Sequence, residues 1–238
     1  SDFLDQYRKI NVEGTRNLAE QSAKAGVKRI IFLSSIKVNG EETKFSLRFR
    51  HDDIPKPQGS YAISKWEAEK ALKEVSKKYG LEIVIIRPPL IYGPNVGANF
   101  LKMITWINRE IPLPLKDINN SRSMIYIKNL CDFISKCINH EKASNEIFLI
   151  SDDQDVSTSS LLNIISQKLN KRIRLFYFPK VLLYLILLFT GNKGTYNKIF
   201  LSLNINISKA KELLDWKPKY SINDGIEDTI KFYKIHGS

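Results

Sequence analysis

The fold class this sequence predicts is α/β: a doubly wound parallel sheet with a small, mostly helical lobe attached. Three observations predict it. The N-terminal part alternates helix, strand, helix, strand, a rhythm that builds parallel sheets through crossover helices. Its strand-length runs are almost continuously apolar, as strands covered on both faces are. A polar, proline-bearing segment follows the first such run, where loops that deliver functional groups leave a parallel strand.

Taken in order, residues 2–25 read as helix, with Asn11-Val12-Glu13-Gly14-Thr15 leading into Leu18, Ala19, Ala23 and Ala25. Gly26 stands where a C-terminal cap belongs. Val27 to Leu33 is a strand, and Lys37 to Gly59, with Asp52, Asp53, Pro55 and Pro57, is a loop. A second helix carries Tyr61 and runs to Tyr79, capped by Gly80. Leu81 to Ile86 is the next strand, stopped by Arg87-Pro88-Pro89 because proline cannot continue a ladder.

Beyond Pro94 the rhythm loosens. Helix is expected over 98–109, a proline-rich turn at Ile111 to Leu115, a short strand at Ser123 to Tyr126 and helix from Lys128 to Asn139. Glu146 to Ile150 and Arg172 to Phe178 are expected strands around a helix that begins after Ser157-Thr158. Val181 to Phe189 is too short for a bilayer, which takes about 20 residues; it reads as a buried or groove-covering helix closed by Gly191, with association at a membrane surface as the alternative. Ser208 is expected to cap a last helix pair, with Trp216, Pro218 and Tyr220 in the turn between. Residues 1–95 thus form the sheet part and 96–238 mainly the lobe, with returning strands.

With 43% hydrophobic and 26% charged residues, the 238-residue chain has an ordinary globular composition. A formal charge of +12 suits an anionic ligand such as a nucleotide diphosphate. Lys and Arg are scattered with no compact basic block, so a nucleic-acid partner is not expected. Cys131 and Cys137 do not share a helix face, and no metal-ligand spacing occurs; both are expected as reduced thiols of a cytoplasmic protein.

Tyr61 and Lys65 lie four residues apart, one turn apart on a single helix face. A phenol beside an ammonium loses its proton more readily, so the pair is a candidate general acid/base. Alone, Y-x-x-x-K is a weak signal and also fits a half-buried tyrosine on a surface helix.

Further stretches accompany it: Phe32-Leu33-Ser34-Ser35-Ile36-Lys37-Val38-Asn39-Gly40, Arg87-Pro88-Pro89-Leu90-Ile91-Tyr92-Gly93-Pro94, Ala98-Asn99-Phe100-Leu101, Arg122 to Ile127 and Leu213 to Pro218. With Asn11 to Thr15 and the Tyr61 segment, the chain resembles the extended short-chain dehydrogenase/reductases, specifically the NAD-dependent epimerase/dehydratases acting on nucleotide sugars. The resemblance spans nearly the whole chain and is nearest to bacterial UDP-N-acetylhexosamine and UDP-glucose 4-epimerases. It implies a Rossmann-like sheet and roles for particular residues. Ser35, Tyr61 and Lys65 would be catalytic: Ser35 bonding the sugar hydroxyl, Tyr61 exchanging its proton, Lys65 holding the nicotinamide ribose and lowering the Tyr61 pKa. Asn11 and Pro89 would lie near the nicotinamide, and Asn99 and Arg122 would hold the substrate diphosphate.

The implied function is an NAD-dependent nucleotide-sugar 4-epimerase of surface-polysaccharide synthesis, with NADP open as cofactor and a homodimer as the assembly. A 4-ketoreductase or dehydratase would use the same trio. A shortened, non-catalytic relative that binds a nucleotide sugar or a partner is the other alternative. The family's glycine-rich turn, which binds the cofactor pyrophosphate, is absent from this sequence. Against the family pattern, roughly 80–90 residues are expected to be missing in front. That would leave the Arg29–Leu33 strand as an open edge. Starting at Ser1, the chain is expected to be a piece of something longer or a processed product.

Overall fold

The computed structural model describes residues 2–44, 47–189 and 193–236. Helix α1 (Asp2–Tyr7) continues through a π-helical stretch, Arg8–Glu13, into α2 (Gly14–Lys24). The expected single helix therefore contains a wide turn, and Asn11 sits inside it; such bulges recur at functional sites. Strand β1 (Arg29–Leu33) follows, then the loop and helix α3 (Gly59–Tyr79). Gly80 closes α3 at φ +70°, a left-handed conformation that costs glycine little. Strand β2 (Glu82–Arg87) is followed at once by β3 (Leu90–Tyr92), a strand the sequence reading did not expect.

The strands β1, β2 and β5 (Glu146–Leu149) form one parallel sheet in the order β1-β2-β5. Ile31 lies opposite Val84, and Val84 opposite Glu146. Alternation along the central strand β2 builds the two layers. Ile83 and Ile85 pack with Ala19, Leu72 and Val75 of α2 and α3. Val84 and Ile86 face the other way, toward Leu130 and Phe133 of α5 (Ile127–Asn139) and Leu214 of α9 (Ser208–Leu214). Helices thus cover both faces, as a doubly wound sheet requires. Strand β1 is the expected edge: its residues are only half-buried and Leu33 is exposed.

A second, two-stranded parallel sheet pairs β3 with β4 (Met124–Tyr126). Tyr92, Met124 and Tyr126 pack with α4 (Ala98–Asn108), α6 (Thr158–Leu169) and α10 (Ile222–His236), giving the helical lobe its own core. The turn before α10 seats Trp216 edge-on against Phe133, its Nε1–H donating to Asp132 at 2.8 Å.

Three expectations are corrected. Arg172 to Phe178 makes no strand; it forms one parallel bridge, Leu175 to Leu113. Pro112 and Pro114 flank Leu113, and without their N–H groups the ladder stops there. The apolar run forms α7 (Lys180–Phe189), but it is not buried: Leu183 packs on the lobe core while most of its other large side chains reach solvent. Gly191 lies outside the described residues. Ser208 is the first residue of α9 rather than its cap, and its N–H donates to the side chain of Asn206 at 2.7 Å. Helix α8 (Lys193–Phe200) was also unexpected.

Candidate active site

The site gathers where β1 ends. Ser34 N–H still donates to Ile86 O of β2 at 2.7 Å, keeping the strand end in register. Ser35 then turns the chain; its Oγ accepts from Lys37 N, and Ile36 N–H donates to Pro88 O at 3.0 Å. Pro88 and Pro89 are both buried, and the Pro88 carbonyl ties the Ser35 turn to the end of β2.

Helix α3 brings Tyr61 and Lys65 to the same place. Burial pushes the Tyr61 phenol above its ordinary pKa, a hydrogen bond with the Ser35 side chain opposes the rise, and nearby Tyr7 adds to it. The Tyr7 ring stands edge-on to Tyr61, 5.8 Å between centroids. Lys65 Nζ donates to Leu33 O at 2.9 Å and lies 4.5 Å from the centre of the Phe32 ring. Burial pulls its pKa down, with the Glu69 carboxylate opposing. Lys65 is not among the groups that move the Tyr61 pKa in this structure. The ammonium is bonded to the strand-end carbonyl, and desolvation dominates at the phenol.

Asn11 joins the same cluster from the π-helical turn. Its Nδ2 donates to Ser64 Oγ at 3.0 Å, and Ser64 Oγ donates to Tyr61 O at 2.9 Å. Arg122 lies just before β4, its Nη1 donating to Leu201 O at 2.8 Å. Burial pulls its guanidinium below the ordinary value, and Glu41 is the one carboxylate that opposes this. Glu41 is itself held by Lys37 Nζ at 2.8 Å, two residues past Ser35. Among the described residues Arg122 makes no ion pair. Asn99 sits exposed in the first turn of α4, and among the described residues no hydrogen bond links it to the trio.

Beneath the trio lies a buried polar network that sequence reasoning missed. Arg87 pairs with Glu69 through Nε–Oε1 at 2.9 Å and Nη2–Oε2 at 2.6 Å. Ser34 Oγ donates to the same carboxylate, and Arg87 Nη1 donates to Asn39 Oδ1 at 3.0 Å. Asn39 in turn donates to Arg50 O at 2.8 Å. Two signals could have found it: Glu69 continues the Tyr61–Lys65 face by one more turn, and Arg87 is a charge closing an apolar strand. Among the described residues no cluster of metal-ligating side chains occurs.

A parallel sheet wound on both faces, with Ser35, Tyr61 and Lys65 gathered at a strand's carboxyl end, is the architecture in which α/β proteins bind ligands beyond the strand ends. Residues 3–151 match the family model of the NAD dependent epimerase/dehydratase family, and the chain belongs to that family. It is 40% identical over 231 residues to a UDP-glucose 4-epimerase of Vibrio cholerae, covering 97% of this chain and 70% of that protein. An Escherichia coli O157:H7 protein named N-acetyl-alpha-D-glucosaminyl-diphospho-ditrans,octacis-undecaprenol 4-epimerase is 32% identical over 176 residues, 73% of this chain and 52% of that one. Among solved structures, UDP-glucose 4-epimerase of Thermotoga maritima with UDP-glucose superposes with a TM-score of 0.79 at 24% identity, over 97% of this chain and 71% of that one. That last likeness speaks for the fold.

Proposed function

We propose that the chain carries the catalytic and substrate-holding part of an NAD-dependent 4-epimerase acting on a UDP-hexose or UDP-N-acetylhexosamine. The observation that carries this reading is the Ser35–Tyr61 hydroxyl pair with Lys65 one turn on, all at the carboxyl end of β1. An ammonium, a phenol and a strand-end carbonyl fit the ribose and nicotinamide end of the cofactor, with Asn11 and Pro89 beside them; NADP stays open. Bound NAD supplies the hydride acceptor and donor at C4 of the sugar.

Tyr61 would take the proton of the C4 hydroxyl as the hydrogen on C4 is removed as hydride, and would return it when the 4-keto sugar is reduced on its other face. Ser35 holds that hydroxyl, and Arg122 clamps the diphosphate while the sugar turns. Asn99 would add a contact at the diphosphate. Residues 1–95 then carry the cofactor side and 96–238 mainly the substrate side. A homodimer through a bundle that includes α3, working in the cytoplasm in surface-polysaccharide synthesis, is the setting we propose.

The test is Tyr61→Phe in the full-length enzyme, with NMR of UDP-glucose and UDP-N-acetylglucosamine as readout. Loss of a general acid/base should lower turnover by roughly 100- to 10,000-fold with UDP-sugar binding kept. Unchanged turnover would sink the proposal. Net consumption of NAD(P)H during turnover would instead point to a 4-ketoreductase.

A further inference from the structure

The carboxylates of this chain are distributed less evenly than its cations. Between Asp155 and Glu212 there is no Asp or Glu at all. Lys171, Arg172, Arg174 and Lys180 fall in that window, all exposed, and none pairs with a carboxylate among the described residues. The segment that faces them, Lys116-Asp117, carries one charge of each sign; Lys116 N–H donates to Phe176 O at 3.3 Å.

Helix α7 continues from this cationic stretch. Val181, Leu182, Leu185, Leu188 and Phe189 are all exposed, Phe189 to 86% and Val181 to 70%. Their spacing puts them on one stripe of the helix. The opposite side is the anchor: Leu183 packs on the lobe core, and the Tyr184 ring meets Tyr196 of α8 edge-on at 4.9 Å. Solvent-facing Tyr177, 70% exposed, lies just ahead of the stripe.

An exposed apolar helical stripe flanked by unpaired cations is the pattern of a helix that lies in a membrane interface. Nucleic acid would use the cations but leave the stripe in water. A neutral apolar partner would use the stripe but not the charge. Among the described residues no helix is long and apolar enough to cross a membrane, so the contact is with a surface. We propose that 171–189 docks on an anionic lipid bilayer, the Arg172–Lys180 cations on phosphate headgroups and the α7 stripe at the acyl boundary. The catalytic residues lie on other elements, so this stands apart from the epimerase reading.

The experiment is co-sedimentation of the full chain with vesicles of phosphatidylcholine alone and of phosphatidylcholine mixed with phosphatidylglycerol, at low and high salt. The expected result is binding to the mixed vesicles, weaker binding to the neutral ones, and loss at high salt. Each basic side chain at an anionic surface is worth roughly fivefold in partitioning. Arg172→Ala with Arg174→Ala should therefore lower it roughly 25-fold, and Val181→Asp with Leu185→Asp should abolish it. Circular dichroism melts check folding; if the Asp pair unfolds the chain, Phe189→Ser alone should still reduce binding severalfold. No vesicle binding, or binding indifferent to both sets of variants, overturns the proposal. So does a self-association or an RNA retention that these variants abolish while vesicles are ignored.

Discussion

Replacing Glu69 by Gln keeps the shape of the side chain and removes its charge from beneath the candidate site. Arg87 and Glu69 are 3% and 2% exposed, and the pair is bidentate. A buried guanidinium deprived of its carboxylate costs roughly 3–5 kcal/mol, because desolvation is no longer offset by the partner. Whichever way the variant amide sits, its N–H₂ meets an N–H of Arg87, since Oε1 accepts from Nε and Oε2 from Nη2. With a urea m-value of about 2–3 kcal/mol/M, the unfolding midpoint should fall by roughly 1–2 M. Glu69→Leu with Arg87→Met should lose less than the sum of the single changes, since no charge is then stranded. What remains is about 1–3 kcal/mol for each of Ser34 and Asn39 left without its partner. The assay is urea denaturation followed by fluorescence and circular dichroism together. A loss below about 1 kcal/mol for Glu69→Gln would refute the reasoning, as would strict additivity in the double variant.

Three other outcomes are expected. Arg122→Lys should raise KM for a UDP-sugar about 10- to 100-fold and change kcat less, as steady-state kinetics will show; an unchanged KM removes the diphosphate role. Gly225→Ala would set a methyl 2.7 Å from Tyr92 Oη and 2.9 Å from Tyr126 Cγ, where α10 presses on β3 and β4. Overpacking there should cost about 1–3 kcal/mol by thermal melt, and a neutral effect would contradict that contact. The Glu227 carboxylate is pulled from 4.5 to about 2 by its bonds from Lys168 and then Lys231. Its folded value lies below its unfolded one, so the stability it adds is present above about pH 4.5 and is lost as pH falls toward 2. Glu227→Gln should flatten that part of the stability curve, and an unaltered acid limb would count against it.

What could be read from the sequence follows from what each residue answers to. Strand β2 and helix α3 were legible because periodicity and a glycine cap are local, and Tyr61 and Lys65 share a face by spacing alone. Strand β3 was not: its three residues follow two prolines and form a strand because Met124–Tyr126, far along the chain, lies alongside. Segment 172–178 failed in the opposite sense, since its own pattern suits a strand while the prolines around Leu113 deny it a ladder. Glu69 looks from sequence like any solvated helix carboxylate; it is buried because Arg87 of β2 meets it across the layer. The same cause explains the phenol. Spacing says that Lys65 is near Tyr61, but not that the strand-end carbonyl of Leu33 takes the ammonium, leaving burial to hold the Tyr61 pKa up. A general base so placed needs a further positive charge close by before it ionises near neutral pH. A bound nicotinamide ring carries such a charge in its oxidised form only. Ionisation of Tyr61 should then track the redox state of the cofactor. Titrating the Tyr61 phenol with oxidised and with reduced cofactor would expose that coupling, and equal pKa values in the two states would exclude it.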